Sequence, residues 1–143
     1  MIPECFLDTT VLIYAATGQV DAPQKHAVAR GLLTASFGTS AQVLAEFYTV
    51  SIRKGSQPLT PVQAEEWLRL LSRKPCEPVS SELVLEGVRL SRRYQISCWD
   101  AAIIAAAERL GARTVYSEDL AHGRTYGAVA VVNPFLEPQT APA

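Results

Sequence analysis

Long apolar runs, clusters of histidine and cysteine, and an excess of charge of one sign are all missing from this chain. The longest purely apolar run, AAIIAAA at 101–107, is far below the roughly 18 residues that a membrane span needs. The opening segment MIPECF lacks the basic and apolar regions of a secretory leader. These features predict a cytoplasmic protein without membrane contact.

The cysteines and the charge balance exclude two further classes. Cys5, Cys76 and Cys98 are odd in number and widely spaced, without CxxC or Cys/His metal spacing, so we expect reduced core residues rather than disulfides or a zinc site. The 13 Lys and Arg residues balance 14 Asp and Glu residues, for a net charge of -1. Binding to a polyanion must therefore come from local charge or from a metal ion.

The pattern along the chain is that of one α/β domain with a parallel sheet, because short apolar runs alternate with segments of helical period. We expect a domain over 1–136 and a disordered, proline-rich tail at 137–143. Predicted strands lie at 5–8, 36–40, 76–80, 114–117 and 128–132. Predicted helices lie at 10–16, 23–35, 41–54, 61–73, 82–94 and 98–110.

Several helix ends carry local signals. Thr9 or Thr10 is a candidate cap for the first helix, and Thr60 with Gln63 has the spacing of a capping box. Ser97 precedes the helix CWDAAIIAAAERL, which ends at Gly111. The last two signals define the helix that carries Asp100.

Four acidic residues lie where such a fold places functional groups. Asp8 closes the first buried strand, and Asp119 follows the strand TVYS, so both are expected beyond the carboxyl ends of parallel strands. Glu46 lies mid-helix at the border of the apolar face. Asp100 lies in the first turn of a helix whose next seven residues are all apolar.

Each acid also has a simpler interpretation. The helix dipole can stabilise Asp100, which with Ser97 has the layout of a capping box. Asp119 can be a turn residue, and Glu46 can be a solvated helix acid or a partner for Arg53. Asp8 is the hardest to explain in this way, because a carboxylate closing a buried strand is costly without compensation.

A hard divalent cation explains all four acids together. Neighbouring carboxylates raise one another's pKa, so they stay ionised only when a cation compensates them. Mg2+ or Mn2+ suits oxygen ligands. Such an ion can activate water and neutralise charge on a phosphodiester.

Four segments, in order, resemble the acidic motifs of PIN-domain ribonucleases, and specifically of VapC-like toxins of bacterial toxin–antitoxin pairs. They are FLDTTVLIYA, AQVLAEFYTV, CWDAAIIAAA and VYSEDLAHG, the last followed by VVNPF. The resemblance runs from Cys5 to about Phe135.

The resemblance implies a three-layer α/β/α, Rossmann-like PIN domain with a short, mostly parallel sheet. It implies a metal-dependent endoribonuclease with Asp8, Glu46, Asp100 and Asp119 as the catalytic acids and Asp8 and Asp100 as the most direct ligands of Mg2+ or Mn2+. Thr10 falls where the family often has Asn or Ser, and Ser117 falls where it often has Thr. Both are interpreted as supporting polar residues. The implied partners are an RNA substrate, a cognate antitoxin protein and a second copy of the chain.

Three alternatives stay open. A haloacid-dehalogenase-like phosphatase would use Asp8 as nucleophile, but it needs a second aspartate where this chain has Thr10. A phospho-receiver domain needs a paired acid at the first strand, which is also missing. A PIN-like RNA- or protein-binding module without catalysis is disfavoured because all four acids are present.

A few other residues are open to two interpretations. Glu118 stands beside Asp119, so either acid can face the metal. His122 lies near the predicted site at the carboxyl ends of the strands and is either solvated or in contact with RNA. Trp67 and Trp99 are interpreted as packing residues rather than base-stacking platforms. The basic residues Arg89, Arg92 and Arg93 are interpreted as a solvated helix face, with phosphate contact as the alternative.

Overall fold

The computed structural model describes residues 2–136, and the tail predicted at 137–143 lies outside the described residues. The elements follow in the order β1 (Cys5–Leu7), α1 (Thr9–Thr17), α2 (Pro23–Leu32), β2 (Phe37–Ser40), α3 (Ala41–Ser51), α4 (Pro61–Leu71), β3 (Cys76–Glu77), α5 (Ser81–Tyr94), α6 (Cys98–Leu110), β4 (Thr114–Tyr116), β5 (Thr125–Tyr126) and β6 (Val129–Val132).

The strands form one sheet in the order β3-β2-β1-β4-β6-β5. Every neighbouring pair is parallel except β5 and β6. With its flanking helices the sheet makes a three-layer α/β/α domain, which confirms the predicted fold class. Leu7 of β1 lies opposite Tyr116 of β4, so these strands end side by side and the residues that follow them are neighbours.

The centre of the molecule is the sheet and helix α6. Phe6 and Leu7 of β1 and Val115 of β4 are fully buried, as expected for parallel strands covered on both faces. The apolar run 101–107 of α6 is also buried, as its composition predicts. Asp100 therefore lies in the first turn of a helix that is anchored in the core.

The local helix signals are mostly confirmed. Thr60 and Gln63 form the capping box, the Ser97 hydroxyl accepts the Asp100 amide N–H, and Gly111 ends α6 with φ 81°. The prediction that Thr9 or Thr10 caps α1 is wrong. Helix α1 begins at Thr9 because the Asp8 carboxylate itself accepts the Thr9 amide at its start.

Three other expectations are corrected. Helix α3 ends at Ser51 rather than at residue 54. The segment interpreted as a loop between β4 and β6 contains β5, which exists through its antiparallel pairing with β6. Cys98 is exposed, because it lies in the first turn of α6 before the helix enters the core; Cys5 is buried as expected.

No helix within residues 2–136 combines the length and the apolar character that crossing a lipid bilayer requires.

Candidate active site

Asp8 is a buried carboxylate held by two hydrogen bonds. It follows β1 and is 6% exposed. The Thr9 amide donates to its Oδ1 at 2.7 Å, and the Ser117 hydroxyl donates to its Oδ2 at 2.8 Å. Burial raises the pKa of Asp8 to about 6. The two hydrogen bonds oppose this rise, whereas the negative charges of Glu46 and Asp119 add to it.

Ser117 links two of the predicted acids through one hydroxyl. While it donates to Asp8, its Oγ accepts the amide N–H of Asp119 at 3.1 Å and that of Leu120 at 3.3 Å. The parallel pairing of β1 with β4 sets this contact, because it aligns the ends of the two strands. Ser117 therefore fixes both the Asp8 side chain and the start of the loop that carries Asp119.

Glu46 faces the same region from helix α3. Its Oε2 accepts the Thr9 hydroxyl at 2.8 Å, and its Oε1 accepts the Gln42 side-chain amide at 3.2 Å. Thr9 thus contacts both Asp8, through its amide, and Glu46, through its hydroxyl. Neither Thr9 nor Gln42 was predicted in this role, although the spacing of Gln42 four residues before Glu46 was an available signal.

Asp100 and Asp119 offer carboxylates that accept no hydrogen bond from the described part of the chain. Asp100 is half-buried in the first turn of α6, and Asp119 is exposed on the loop after β4. Partial burial raises the pKa of Asp119, and the negative charges of Glu118, Asp100 and Glu46 raise it further, against an opposing effect of Lys54. Asp119 is therefore close enough to Asp100 and Glu46 for their charges to affect its pKa. In the same way, the charges of Glu46 and Asp119 affect the pKa of Asp8.

Glu118 is committed to a different contact. The Tyr14 hydroxyl donates to its Oε1 at 2.8 Å, and Lys25 forms an ion pair with its Oε2. Burial acts to raise the pKa of Glu118, but the hydrogen bonds from Lys25 and Tyr14 bring it below its usual value. Of the two adjacent acids, Asp119 is the one that remains free of such partners within residues 2–136.

Thr10 holds the backbone of the same loop. Its hydroxyl accepts the Glu118 amide N–H at 3.3 Å. Within residues 2–136 its hydroxyl forms no hydrogen bond with Asp8, and α1 is capped by Asp8 instead. The bond from Glu118 to Thr10 joins residues 108 positions apart. Thr10 and the Lys25–Glu118 pair together hold the loop against α1 and α2.

A cavity of about 350 Å³ lies among these elements. Its wall includes Glu46 and Asp119 together with the exposed cation Lys54 and the α1 residues Thr9 and Thr10. Of the four predicted acids, Glu46 and Asp119 line this cavity, and Asp8 and Asp100 do not.

The side chains fit a hard divalent cation that retains water. Within residues 2–136, no three Asp, Glu, His or Cys side chains are grouped closely enough to form a complete ligand cage. Mg2+ does not need one, because it usually keeps several waters and binds through one or two carboxylates. The donors are carboxylate oxygens. Burial is the main cause of the raised pKa values of Asp8 and Asp119, and repulsion from neighbouring acids raises them further. A divalent cation is the ligand that relieves such repulsion.

The remaining predicted residues have mixed outcomes. His122 Nδ1 accepts the Asn133 amide N–H at 3.0 Å, so it ties the loop to the end of β6. Trp67 packs against Phe47 at 5.8 Å between ring centroids, as predicted. The packing prediction is wrong for Trp99, which is 73% exposed, because the first turn of α6 projects it beyond the core.

A family model described as the PIN domain matches residues 5–128, a range that contains all four acids. The chain belongs to the PIN-domain family. The recognition of a PIN domain from the four sequence motifs is thereby confirmed, and nuclease chemistry is the coarse function that this family supports.

Solved structures similar to this PIN domain include toxin–antitoxin proteins. Mycobacterium tuberculosis VapC20, described as a sarcin–ricin loop cleaving toxin, has a TM-score of 0.65 and 24% identity over 80% of this chain and 89% of that chain. A toxin–antitoxin complex from Klebsiella pneumoniae has a TM-score of 0.65 and 18% identity over 92% and 98% of the two chains. FitAcB from Neisseria gonorrhoeae has a TM-score of 0.64 and 20% identity over 92% and 98%.

Identities at this level show a shared fold. None of the curated protein sequences matches this PIN domain.

Proposed function

We propose that this PIN domain is a metal-dependent endoribonuclease that hydrolyses RNA phosphodiester bonds and acts as the toxin of a type II toxin–antitoxin system. The observation that carries the proposal is the convergence of acidic residues at the ends of β1 and β4. The Ser117 hydroxyl binds both the Asp8 carboxylate and the Asp119 amide, and Thr9 contacts both Asp8 and Glu46. Glu46 and Asp119 line one cavity. Membership in the PIN family supports the same chemistry.

The four acids have distinct tasks in this proposal. Asp8 and Asp100 are the most direct ligands of Mg2+ or Mn2+, and Glu46 and Asp119 complete the acidic set. When bound, the cation supplies an activated water and neutralises charge on the phosphodiester.

The neighbours of these acids keep them in position. The Thr9 amide and the Ser117 hydroxyl orient the Asp8 carboxylate, and Thr9 and Gln42 orient Glu46. Thr10 and Ser117 hold the backbone on either side of Glu118 and so position Asp119.

The proposed partners follow from the similar structures. VapC20 is described as cleaving the sarcin–ricin loop and the Klebsiella pneumoniae structure as a toxin–antitoxin complex. For this chain we infer an RNA substrate, a cognate antitoxin, a homodimeric state and a cytoplasmic location.

The decisive experiment is incubation of the purified protein with total cellular RNA, Mg2+ and Mn2+ in separate reactions, and a chelator control, followed by mapping of the cut ends. We expect cleavage that the chelator abolishes. Asp8→Asn should lower the rate more than about 100-fold, beyond the loss typical of residues that only support metal ligands.

Glu46→Gln has a matched control in Glu66→Gln, because Glu66 is an exposed helical glutamate on α4. Only Glu46→Gln should lower the rate.

RNA binding without cleavage in the presence of either metal would instead favour a PIN-like binding module. Wild-type cleavage by Asp8→Asn would contradict the assigned site.

The antitoxin is tested separately. Expression of the chain alone should inhibit growth. Co-expression with the product of a neighbouring reading frame for a small DNA-binding protein should restore growth, and the two proteins should co-purify. Growth inhibition that no neighbouring product relieves would contradict the toxin–antitoxin assignment while leaving the nuclease assignment intact.

A further inference from the structure

A shallow cleft adjoins the candidate active site and contains the most exposed aromatic side chain in the described part of the chain. Trp99 is 73% exposed, whereas Ile103 and Ile104 of the same helix are buried. The cleft has a volume of about 520 Å³ and is lined by Trp99, Val79, Ala41 and Ala45, with Gln42 and Glu46 at its polar side.

Glu46 joins the cleft to the acidic cavity, because it lines both. The cleft is also connected to the site through Gln42, whose side-chain amide donates to Glu46 Oε1 at 3.2 Å and to the Trp99 carbonyl at 3.3 Å. Asp100 is the next residue along α6. A ligand that lies on the Trp99 indole is therefore next to two of the proposed catalytic acids.

We propose that Trp99 is a stacking platform for an unpaired base of the RNA substrate, next to the phosphodiester that is cleaved. This inference rests on the proposed ribonuclease function. A flat, solvent-exposed indole beside small aliphatic side chains suits the face of a nucleobase, and aromatic stacking is a common way to bind bases of single-stranded RNA.

The protein's charge makes such a contact useful. With a net charge of -1, the chain has no overall attraction for a polyanion. Stacking contributes affinity without basic residues, and alanine substitution at a stacking aromatic typically costs about 1–3 kcal/mol per base, which corresponds to about 5- to 150-fold in affinity.

The first test compares cleavage kinetics of Trp99→Ala, Trp99→Phe and the wild type with the same RNA and Mg2+. We expect Trp99→Ala to raise KM about 5- to 150-fold with little change in kcat, and Trp99→Phe to retain most of the affinity. Leu85→Ala is the control, because Leu85 is also an exposed apolar residue, 58% exposed on α5, and it lies outside the cleft. Its KM should equal that of the wild type.

The second test uses fluorescence. The chain has two tryptophans, so Trp67→Phe leaves Trp99 as the single indole emitter. Titration with single-stranded oligoadenylate should quench this emission over the concentration range in which a labelled copy of the same RNA binds by anisotropy. Binding without quenching overturns the proposal.

Other results assign Trp99 elsewhere. A wild-type KM for Trp99→Ala overturns the proposal, and so does a conversion from dimer to monomer in light scattering, which would make Trp99 a contact between two copies. If the wild-type protein itself fails to cleave RNA with either metal, the proposed function fails, a result distinct from failure at Trp99.

Discussion

At the scale of single residues, Asp8 is a proposed metal ligand whose burial also destabilises the folded protein when no metal is bound. It is buried at the end of the central strand β1. Within residues 2–136, the donors to its carboxylate are two neutral groups, the Thr9 amide and the Ser117 hydroxyl. Nearby charges are negative. Ionised Asp8 is therefore poorly compensated in the metal-free protein.

This predicts a pH-dependent gain in stability for Asp8→Asn without metal. The folded-state pKa is about 6, above the value of about 3.9 for an unfolded chain. The wild type therefore loses stability as pH rises from about 4 through about 6, whereas the asparagine variant does not. In chelator, the stability of the variant relative to the wild type should increase by about 2 kcal/mol between pH 4.5 and pH 8.

Denaturant unfolding at the two pH values checks this prediction. Asp21→Asn is a control of opposite sign, because the Ser56 hydroxyl and amide bind the Asp21 carboxylate and lower its pKa. Its replacement should not stabilise the protein at pH 8. A pH-independent effect of Asp8→Asn would show that the buried carboxylate carries no such penalty.

At the scale of elements, the loop after β4 is tied to two helices. Lys25 of α2 pairs with Glu118 of that loop, and Tyr14 of α1 donates to the same carboxylate. The Lys25 ammonium also lies 5.0 Å from the Tyr14 ring centroid. These contacts join the loop that carries Asp119 to α1 and α2, and both Tyr14 and Glu118 line the cavity.

Lys25→Met should loosen this loop while leaving the fold intact. The side chains of Lys25 and Glu118 are 41% and 26% exposed, so loss of the pair should cost less than about 1 kcal/mol. Hydrogen exchange of backbone amides in 118–124 should nevertheless become faster, and kcat should fall. Lys74→Met, the same change at an exposed lysine outside this network, should alter neither. Unchanged exchange in Lys25→Met would mean that backbone contacts alone hold the loop.

The elements that the sequence predicts well are those with local signals. Helix α6 follows from its apolar run and its Ser97 start and Gly111 end, because a cap and a helical period both lie within a few residues. Strand β5 has only two residues and depends on pairing with β6, so no local pattern marks it. The start of α1 was missed because the capping side chain is the same carboxylate that was assigned to the site.

In the candidate site, too, some contacts can be predicted from the sequence and others depend on tertiary packing. The meeting of Asp8 with the residues after β4 follows from parallel strands that end together. The contacts of Thr9 with Glu46 and of Lys25 with Glu118 join residues 37 and 93 positions apart, and they depend on how helices pack. The exposure of Trp99 likewise depends on where α6 leaves the core, which its apolar sequence does not reveal.

At the scale of the whole molecule, the balanced charge limits how the proposed RNA substrate can be bound. With 13 basic and 14 acidic residues, a proposed nuclease of this kind relies on a bound cation, on stacking and on a few local cations such as Lys54 at the cavity wall. Few counterions are then released when RNA binds.

We therefore expect a weak dependence of KM on salt. Between about 50 and 200 mM KCl at constant Mg2+, the slope of log(1/KM) against log[KCl] should be shallower than about -3, the value for roughly four neutralised phosphates on a single strand. A steeper slope would indicate that an extended basic surface, such as the exposed Arg89, Arg92 and Arg93 of α5, supplies the affinity.

The strand order also determines when the site can exist during synthesis. Strand β1 is the first to leave the ribosome, but β4, its neighbour on one side, ends 109 residues after it at Tyr116. Ser117, the partner of Asp8, and Asp119 follow only then. A nascent chain that stops before this point has an Asp8 without its hydroxyl donor and an incomplete acidic set. The late position of β4 thus delays the proposed catalytic activity until most of the chain has been translated.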